Sequence, residues 1–396
     1  MISTVPFVPQ TPRIIAEIGT AHGGDLHHAR ELISAAKSAG ADTAKFQLVR
    51  ADEILHPLSG SVDLPGGSLP LYERFRELER DISFYQHIQE TCTQEGIRFL
   101  CTPFGIESAR MLRTLGVDEY KVASPELNHH PLLREISGYS KPIILSTGVA
   151  RIRDIGETLD LLESLNVHVP IQLLHCVTSY PAREEEYNIR VLPAMRRIFG
   201  FPVGISDHSI DPILVPVLAA IYGAVTIEKH ITLSRDDGGL DDPIALDPPE
   251  FRRMVDAISE ITGRLAESTD EIDYRRIQEV LVDELRDTYG DERVESVLGD
   301  GVKRLAPSET RHYGFTNRSI HALDTIREGE VLTAERLAVL RSEKNLTPGL
   351  HPRYWEVILG QRTGRTVRPG EGIRWDHLLG CTPGTAESAV PPAADG

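Results

Sequence analysis

Cysteine is scarce in this sequence. Four cysteines occur among 396 residues, and no two of them form a Cys-x-x-Cys pair. The hydrophobic core therefore needs no disulfide framework. Residues 1–13 also lack the basic-then-apolar layout of a signal peptide. Together these features predict a protein of the reducing cytoplasm.

Long apolar runs and basic residues are also in short supply. No stretch of the sequence approaches the roughly 20 apolar residues that a membrane-spanning helix needs. Lys and Arg number 42 against 59 Asp and Glu, which leaves a formal net charge of −17. The lack of a long apolar run excludes an integral membrane protein, and we expect no membrane partner. Nonspecific nucleic-acid binding depends on basic side chains that neutralise phosphates, so the negative net charge predicts no nucleic-acid partner. An anionic substrate would have to be held by local lysines and backbone N–H groups.

The chain has enough apolar residues for a large core and enough length for two domains. Hydrophobic residues make up 40% and charged residues 26%, as in ordinary globular proteins. A length of 396 residues exceeds one ordinary compact domain and suits a barrel-sized domain followed by a smaller one.

Short β-rich runs alternate with helical periodicity through the first two-thirds of the chain. The eight runs span residues 14–19, 42–49, 97–104, 119–124, 142–148, 170–177, 203–208 and 224–232. Most are separated by one helix, for example at 25–40 and 154–166. Eight such units predict an α/β fold of the (β/α)8 TIM-barrel type, and an open doubly wound sheet is the alternative.

The remaining segments predict a second, β-rich domain and a tail. Residues 50–80 are too long for a tight turn and are expected to form a lid or rim. We place the barrel domain at 1–264, a helical connector and linker at 265–310, a small β-rich domain at 311–380 and a disordered tail at 381–396.

Chemically active side chains stand at the ends of nearly all the predicted strands, where barrel enzymes carry their catalytic groups. A single such residue is as often a plain hydrogen-bonding partner of the next loop as a functional group. The joint pattern favours function. The set comprises Glu17, Lys45, Gln47, Thr102, Lys121, Ser124, Ser146, Thr147, His175, Thr178, Ser206, Asp207, His208, Glu228 and His230.

Two lysines lie within apolar strands, where an unpaired ammonium group would be costly. We expect Lys45 and Lys121 to meet anions there, either a substrate or, in the structural alternative, Glu17 or Glu228. Several strand-end hydroxyl groups accompany them. This combination suits a phosphate and a carboxylate held together, and phosphoenolpyruvate carries both.

Two histidines end consecutive strands, which are neighbours in a barrel. The imidazoles of His208 and His230 are therefore placed to meet at one divalent metal ion, with water and substrate filling its other positions. The alternative is a pair of core histidines bonded to backbone carbonyls. The neighbouring acids Asp207 and Glu228 favour the metal site.

Taken in order, these motifs resemble the sialic acid synthase family. The motifs are IIAEIGTAHGGD, ADTAKFQ, FLCTPF, YKVASPE, KPIILSTG, LLHCVTSYP, VGISDH and IEKHITL. The later segments NRSIHALDTIREGEVLTAERLAVLR and LGQRTGRTVRPGEGIRWDHL resemble the antifreeze-like (SAF, β-clip) domain that ends such enzymes. The resemblance implies a TIM barrel followed by an SAF domain, in a homodimer whose partner subunit caps the sugar site.

The resemblance also implies an activity and a role for each site residue. The family condenses phosphoenolpyruvate with an N-acyl amino-sugar aldehyde, such as N-acetylmannosamine or a 6-deoxy-diamino hexose, to a nonulosonic 2-keto-3-deoxy acid and phosphate. It uses a divalent ion, with Mn²⁺ expected and Mg²⁺ or Co²⁺ as alternatives, here held by His208 and His230. Phosphoenolpyruvate would contact Lys45, Thr102, Lys121, Ser124, Ser146, Thr178 and Ser206. Acid–base and sugar-contacting roles would fall to Glu17, Glu228, Gln47, Tyr180, Asp241 and Arg318.

Some positions depart from the family pattern. The loop GGLDDPIA at 238–245 replaces a common PGPDHKAS and lacks its His and Lys. Because this loop is expected beside the sugar, an altered acceptor in a specialised pathway is one alternative function. A non-catalytic carbohydrate-binding or ice-binding homologue is the other.

Overall fold

Eight parallel strands form a nearly closed barrel in the first part of the molecule. The computed structural model describes residues 11–64, 67–165 and 167–378. Hydrogen bonds connect the strands in the order β3-β2-β1-β8-β7-β6-β5-β4, and β3 packs beside β4 to complete the circle. The predicted barrel is confirmed, and the open doubly wound sheet is not what the chain forms. The strands are β1 Arg13–Gly19, β2 Thr43–Leu48, β3 Arg98–Pro103, β4 Tyr120–Val122, β5 Ile143–Ser146, β6 Ile171–Cys176, β7 Val203–Asp207 and β8 Thr226–His230.

Helices surround the barrel and cover its apolar outer face. The helices predicted at 25–40 and 154–166 are present as α1 (Leu26–Ser38) and α7 (Ile152–Ser164). Asp25 caps α1 by accepting from the backbone N–H groups of the second and third residues that follow it. The helices are α1 Leu26–Ser38, α2 Ala51–Ile54, α3 Leu71–Glu77, α4 Ile82–Glu95, α5 Ile106–Leu115, α6 His130–Ser137, α7 Ile152–Ser164, α8 Val191–Phe199, α9 Leu214–Ile221, α10 Pro248–Ala266, α11 Glu271–Tyr289 and α12 Asp291–Leu298.

A small apolar layer closes the inside of the barrel. Ile15, Leu100, Ile144 and Leu174 are buried together there. Side chains along a strand alternate between its two faces, so the residue two positions further along points the same way. Those residues are polar, namely Glu17, Thr102, Ser146 and Cys176, and all of them line the cavity above the apolar layer.

The segment predicted as a helical connector is helical. It forms α11 and α12, whose apolar side chains, among them Leu281 and Val294, belong to the same core as the barrel helices. The domain boundaries themselves stay predictions. Cys92, Cys101 and Cys176 are buried free thiols, whereas Cys381 and the predicted tail 381–396 lie outside the described residues.

A small β-rich domain follows, as predicted. Antiparallel strands β9 Arg318–Ala322 and β10 Leu337–Arg341 and a short helix α13 Trp355–Ile358 enclose a separate core. That core includes Ile320 and Val367. Across the parts of the chain that are described, no helix has the length and apolarity to span a membrane.

The β-rich domain packs against the barrel of its own chain. The backbone N–H and carbonyl of Arg318 each bond to the side chain of Asn128 on the loop after β4, at 3.0 and 2.9 Å. The loop after β2 also reaches this domain, because the carbonyl of Ser59 accepts from the N–H groups of Lys344 and Asn345 at 3.1 and 3.2 Å. Phe75 from α3 of the same loop lines the cavity, so this segment forms the expected rim.

Replacing Lys229 with methionine should strongly destabilise the barrel. Lys229 Nζ lies 2.6 Å from Asp207 Oδ2, and neither side chain is exposed. Removing one partner leaves a buried charge uncompensated, and we expect a loss of about 3–5 kcal/mol in the free energy of unfolding. Urea unfolding followed by circular dichroism measures this loss.

The matched control is Arg264→Ala, which breaks the surface pair with Glu284 at 2.6 Å. It should cost at most about 1 kcal/mol. Equal effects of the two substitutions would contradict the buried-pair assignment.

Candidate active site

A cavity of about 420 Å³ opens at the carboxyl ends of the barrel strands. The strand-end rule located it correctly, since almost every site residue expected from the sequence lines this one space. They are Glu17, Lys45, Gln47, Thr102, Lys121, Ser124, Ser146, Thr178, Tyr180, Ser206, His208, Glu228, His230 and Asp241. Arg318 is the exception among the residues that were given a role, and Thr147, His175 and Asp207 of the wider strand-end set do not line this space either. What each residue contributes to binding or catalysis stays a prediction.

Two lysines and two glutamates form a buried charge network at the centre of the cavity. Lys45 Nζ lies 3.0 Å from Glu17 Oε2 and 3.2 Å from Glu228 Oε1. Lys121 Nζ lies 3.9 Å from Glu228 Oε2 and also contacts Ser146 Oγ. Strand register creates this network, because Glu17 pairs with Lys45 on one side and with His230 on the other. Lys45 and Lys121 are thus paired with Glu17 and Glu228, as expected in the alternative in which internal carboxylates, and not a substrate, neutralise the lysines.

Burial and pairing set the charges of these groups. Burial lowers the pKa of Lys45, but Glu17 and Glu228 outweigh it and hold that pKa above its ordinary value. Burial lowers the pKa of Lys121 to about 8, and Glu228 offsets only part of the effect. Lys121 is therefore the less compensated cation of the two, and an arriving anion would supply the charge that it lacks.

The carboxyl groups of Glu17 and Glu228 also differ in how far the neighbouring lysines offset the effect of burial on their pKa. Burial raises the pKa of Glu228, but Lys121 and Lys45 lower it to about 2, so Glu228 stays ionised. Burial raises the pKa of Glu17, and its opposition by Lys45 is incomplete. Gln47 Nε2 donates to Glu17 Oε1 at 2.7 Å and orients that carboxyl group. Glu17 is thus the carboxyl group better suited to exchange a proton.

Hydroxyl groups surround the lysines. Thr102 Oγ1 and Thr178 Oγ1 are buried and have no hydrogen-bond partner among the described residues. Ser124 Oγ accepts from the N–H of Gly148 at 3.0 Å, and Ser206 Oγ donates to Glu228 at 2.9 Å. Buried polar atoms normally find partners, so the two free threonine hydroxyls indicate a ligand with acceptor atoms.

The two histidines come together beside this network. Their ring centroids lie 5.5 Å apart, and Tyr180, half exposed, stacks on His208 at 4.3 Å. His208 Nδ1 lies 2.8 Å from the carbonyl of Val177, which in a neutral ring assigns the proton to Nδ1 and leaves the Nε2 lone pair free. Burial, with His208 and Lys45, holds the pKa of His230 well below its ordinary value. His230 is therefore a neutral imidazole.

This pair fits a divalent ion with open coordination positions. Burial lowers the pKa of His208, but Cys176 and the Val177 carbonyl raise it to about 9, so this ring would release a proton on binding a cation. No cluster of three or more His, Cys, Asp or Glu side chains suited to a metal ion occurs within residues 11–64, 67–165 and 167–378. Two imidazoles plus water or substrate oxygen would have to hold the ion.

Asp241 brings the divergent loop at 238–245 to the same place. Its Oδ2 lies 3.9 Å from His230 Nδ1, and burial raises its pKa to about 6. The structure puts this loop beside the imidazoles, and its expected place beside the sugar stays a prediction. Asp241 matches the Asp of the family's common loop sequence, whereas Asp242 and Pro243 stand where that sequence has His and Lys.

The expectation for Arg318 needs correction. Its guanidinium is fully buried and bonds to Glu126 and to the carbonyls of Glu53, Phe104 and Val339. These contacts occupy its donors, so the side chain joins the two domains and does not line the cavity. Asp207 also points away from the cavity, toward Lys229, since it alternates with Ser206 and His208 along the chain.

Strand-end reasoning missed cavity residues that come from beyond the barrel. Arg341, at the end of β10, lines the cavity together with Arg311 and Lys344. Arg341 Nη2 lies 2.7 Å from Glu126 Oε1, and the guanidinium stands over the ring of Phe104. No pattern in the sequence indicates which face of the small domain meets the barrel.

Buried acid–base groups beside free donors, at the carboxyl end of a parallel barrel, are what barrel enzymes have in common. By fold and site, the chain is therefore a barrel enzyme. The model of the NeuB family matches residues 32–270, which is more than half of the chain, and the model of the SAF domain matches residues 317–379. The chain belongs to the NeuB family.

Relatives that match over almost their whole length support this family assignment. The chain is 32% identical over 369 residues to the spore coat polysaccharide biosynthesis protein SpsE of Bacillus subtilis, covering 92% of this chain and 93% of the relative. It is 29% identical over 374 residues to the N,N'-diacetyllegionaminic acid synthase of Legionella pneumophila, covering 92% and 94%.

Solved structures show the same similarity. The crystal structure of SpsE matches with a TM-score of 0.76 and 32% identity, over 93% of this chain and 95% of that one. The N-acetylneuraminic acid synthetase of Leptospira borgpetersenii, crystallised with citrate, matches with a TM-score of 0.60 and 29% identity, over 72% and 94%. The likeness to SpsE thus extends through both domains.

Anion affinity should fall as pH rises through about 8, because Lys121 loses its proton there. Sulfate, whose charge is constant above neutral pH, is the probe. We expect its dissociation constant to be level below the pKa and to rise by up to about tenfold per pH unit above it. Isothermal titration calorimetry between pH 7 and 9.5 measures this. Lys121→Met should bind weakly at every pH, and a level profile in the unaltered protein would refute the assignment.

Proposed function

We propose that the chain condenses phosphoenolpyruvate with an N-acyl amino-sugar aldehyde to give a nonulosonic 2-keto-3-deoxy acid and phosphate. The main support is the pair of buried lysines next to unpartnered threonine hydroxyls, a donor set that suits one phosphate and one carboxylate. The relatives named as synthases of legionaminic and N-acetylneuraminic acids support the acceptor class. The enzyme is accordingly a transferase that forms a carbon–carbon bond.

Substrate positioning is the first task of the residues. Lys45 and Lys121 offset the phosphate and carboxylate charges, while the hydroxyls of Thr102, Ser124 and Thr178 donate to the same oxygens. Holding the enol phosphate against the aldehyde makes the bond-forming step effectively intramolecular. Carbon 3 of the enol phosphate then attacks the aldehyde carbon, and the aldehyde oxygen takes up the proton of the Glu17 carboxyl group, which is restored when water adds.

Proton transfer completes the reaction. Water adds at carbon 2 and gives its proton to a carboxylate, and the tetrahedral intermediate loses phosphate by cleavage of its carbon–oxygen bond. We assign the proton acceptor to Glu17, whose pKa burial raises above its ordinary value, whereas Glu228 stays ionised and holds the lysines in place.

A divalent ion, Mn²⁺ in our proposal, would be held by His208 and His230. When bound, such an ion polarises an aldehyde oxygen as a Lewis acid. Tyr180 covers His208 and shields this side of the cavity. Asp241 accepts hydrogen bonds from sugar hydroxyls.

Subunit arrangement and location complete the proposal. We propose a cytoplasmic homodimer in which the SAF domain is exchanged between subunits. Exchange of this kind reuses the contacts of the closed chain, so Arg318 and Asn128 would meet across the dimer as they do here within one chain. The buried free thiols are in keeping with a reducing compartment.

An altered acceptor is the second candidate function. The loop at 238–245 keeps the family's Asp as Asp241, whose carboxylate lies beside His230, and carries Asp242 and Pro243 where the family has His and Lys. Carboxylates favour an acceptor with hydroxyl or amine donors and disfavour a phosphorylated sugar. A sugar with a second amino group is the variant that this loop favours.

The test is phosphate release from phosphoenolpyruvate across a panel of aldehydes. N-acetylmannosamine, its 6-phosphate and 6-deoxy-diamino hexoses form the panel, each with and without Mn²⁺, and mass spectrometry identifies the product. Metal-dependent release with one unphosphorylated amino sugar is expected. Silence with every sugar would refute the proposed reaction.

His230→Ala should abolish Mn²⁺ binding as well as turnover. The remaining imidazole cannot hold the ion alone, so electron paramagnetic resonance should show the free Mn²⁺ spectrum that the unaltered protein suppresses. His27→Ala, at an exposed histidine that does not line the cavity, is the control and should behave as the unaltered protein. Tight Mn²⁺ binding by the first variant would remove the metal assignment.

A further inference from the structure

The segment that joins the barrel to the SAF domain inserts a carboxylate beneath the anion side of the cavity. Glu309 is 1% exposed. Its Oε1 accepts from the backbone N–H of Val149 at 2.7 Å and from that of Thr178 at 2.8 Å. Its Oε2 accepts from the N–H of Ala306 at 3.0 Å. One side chain thus holds the loop after β5, the loop after β6 and its own segment together.

We call these two the phosphate-side loops, because the first follows Ser146 and the second carries Thr178, hydroxyls that are expected to bind the anion. The first loop also approaches the hydroxyls of Thr178 and Ser124. Gly148, between Ser146 and Val149, approaches these hydroxyls so closely that a Cβ there would lie 2.1 Å from Thr178 Oγ1 and 2.9 Å from Ser124 Oγ. Only glycine fits at this position. The Gly148–Val149 backbone therefore sets where Ser124 and Thr178 stand.

Val149 adopts a backbone conformation that needs support from outside. Its φ is 41°, in the left-handed region that β-branched residues rarely enter. Glu309 Oε1 accepts from the N–H of Val149, and Asn317 Nδ2 donates to the carbonyl of Val149 at 3.0 Å. Asn317 directly precedes β9, so both ends of the Val149 residue are held by the segment that leads into the SAF domain.

A third contact joins the same two regions. Lys303 Nζ, 7% exposed, donates to the carbonyl of Thr147 at 2.9 Å. The carboxylate of Glu309 cannot itself serve an anionic substrate, since like charges repel. The three backbone N–H groups that bond to Glu309 explain why it is buried here. Its role is to hold the two loops in place, without contacting the anion itself.

We propose that Glu309 is a positioning residue, which ties the interdomain segment to the two phosphate-side loops so that the anion site is complete only while that segment is docked. This inference rests on the proposed function, because it takes phosphoenolpyruvate as the anion. It implies that binding at the cavity and docking of the segment support each other.

The experiment measures phosphoenolpyruvate binding without sugar, by isothermal titration calorimetry, in the full chain. Glu309→Ala frees both loops, and we expect its dissociation constant to rise by about tenfold or more, as for the loss of a hydrogen bond to a charged group. The KM for the sugar should stay unchanged. Glu309→Gln keeps an amide oxygen for the two N–H groups and should restore most of the affinity. If the negative charge of Glu309 merely opposed the anion, both variants would bind more tightly, which would overturn the proposal.

Glu186→Ala is the matched control. Glu186 stands further along the loop after β6 than Thr178. It accepts from the N–H of Ser308 at 3.3 Å and contacts its hydroxyl, so it holds the same segment through contacts other than those to Val149 and Thr178. We expect its affinity for phosphoenolpyruvate to match that of the unaltered protein. An equal loss in both variants would show that loosening the segment in general, and not the Glu309 contacts, lowers the affinity.

Hydrogen exchange gives a second readout if Glu309→Ala folds poorly. In the unaltered protein, phosphoenolpyruvate should slow exchange in residues 303–317, and Glu309→Gln should retain most of this protection. Unchanged exchange in this segment on saturation with phosphoenolpyruvate would contradict the coupling. Failure of the unaltered protein to bind phosphoenolpyruvate at all would instead refute the proposed function.

Discussion

Mutual neutralisation of buried charges at the barrel mouth is the constraint on which the rest of the structure depends. An isolated ion in a protein interior costs several kcal/mol, so none of these groups could stand there alone. The closed barrel brings them within ion-pair distance from strands that are far apart in the chain. The members are Glu17, Lys45, Lys121 and Glu228. The result is a buried, nearly neutral site in which one lysine keeps unmatched charge for a ligand.

The surrounding structure keeps this network buried and fixed. The apolar layer that includes Ile15 closes it from below. The SAF domain covers the mouth from the side, and a second buried pair, Arg318 with Glu126, fastens that domain to the loop after β4. Arg341 shares the same carboxylate and reaches the cavity. Domain docking and site construction therefore rely on the same kind of interaction, a buried arginine or lysine matched by a carboxylate.

Local patterns were sufficient to predict the barrel and most of its site. The run predicted at 203–208 is a strand at Val203–Asp207, and the chemistry at strand ends follows from side-chain alternation together with parallel strands that all end at one mouth. The same alternation could also have predicted that Asp207 points away from the cavity, because its neighbours Ser206 and His208 point into it. Arg318, Arg341 and Glu309 could not be assigned from the sequence. Their roles depend on which surfaces of the two domains meet, and no local period records that.

A crystal structure with phosphoenolpyruvate bound tests the central claim most directly. The account predicts the ligand inside the charge network, with its phosphate and carboxylate oxygens within hydrogen-bond distance of Lys45 and Lys121 and of the free hydroxyls of Thr102 and Thr178. Phosphoenolpyruvate bound elsewhere, or within the cavity with those hydroxyls still unpartnered, would contradict it.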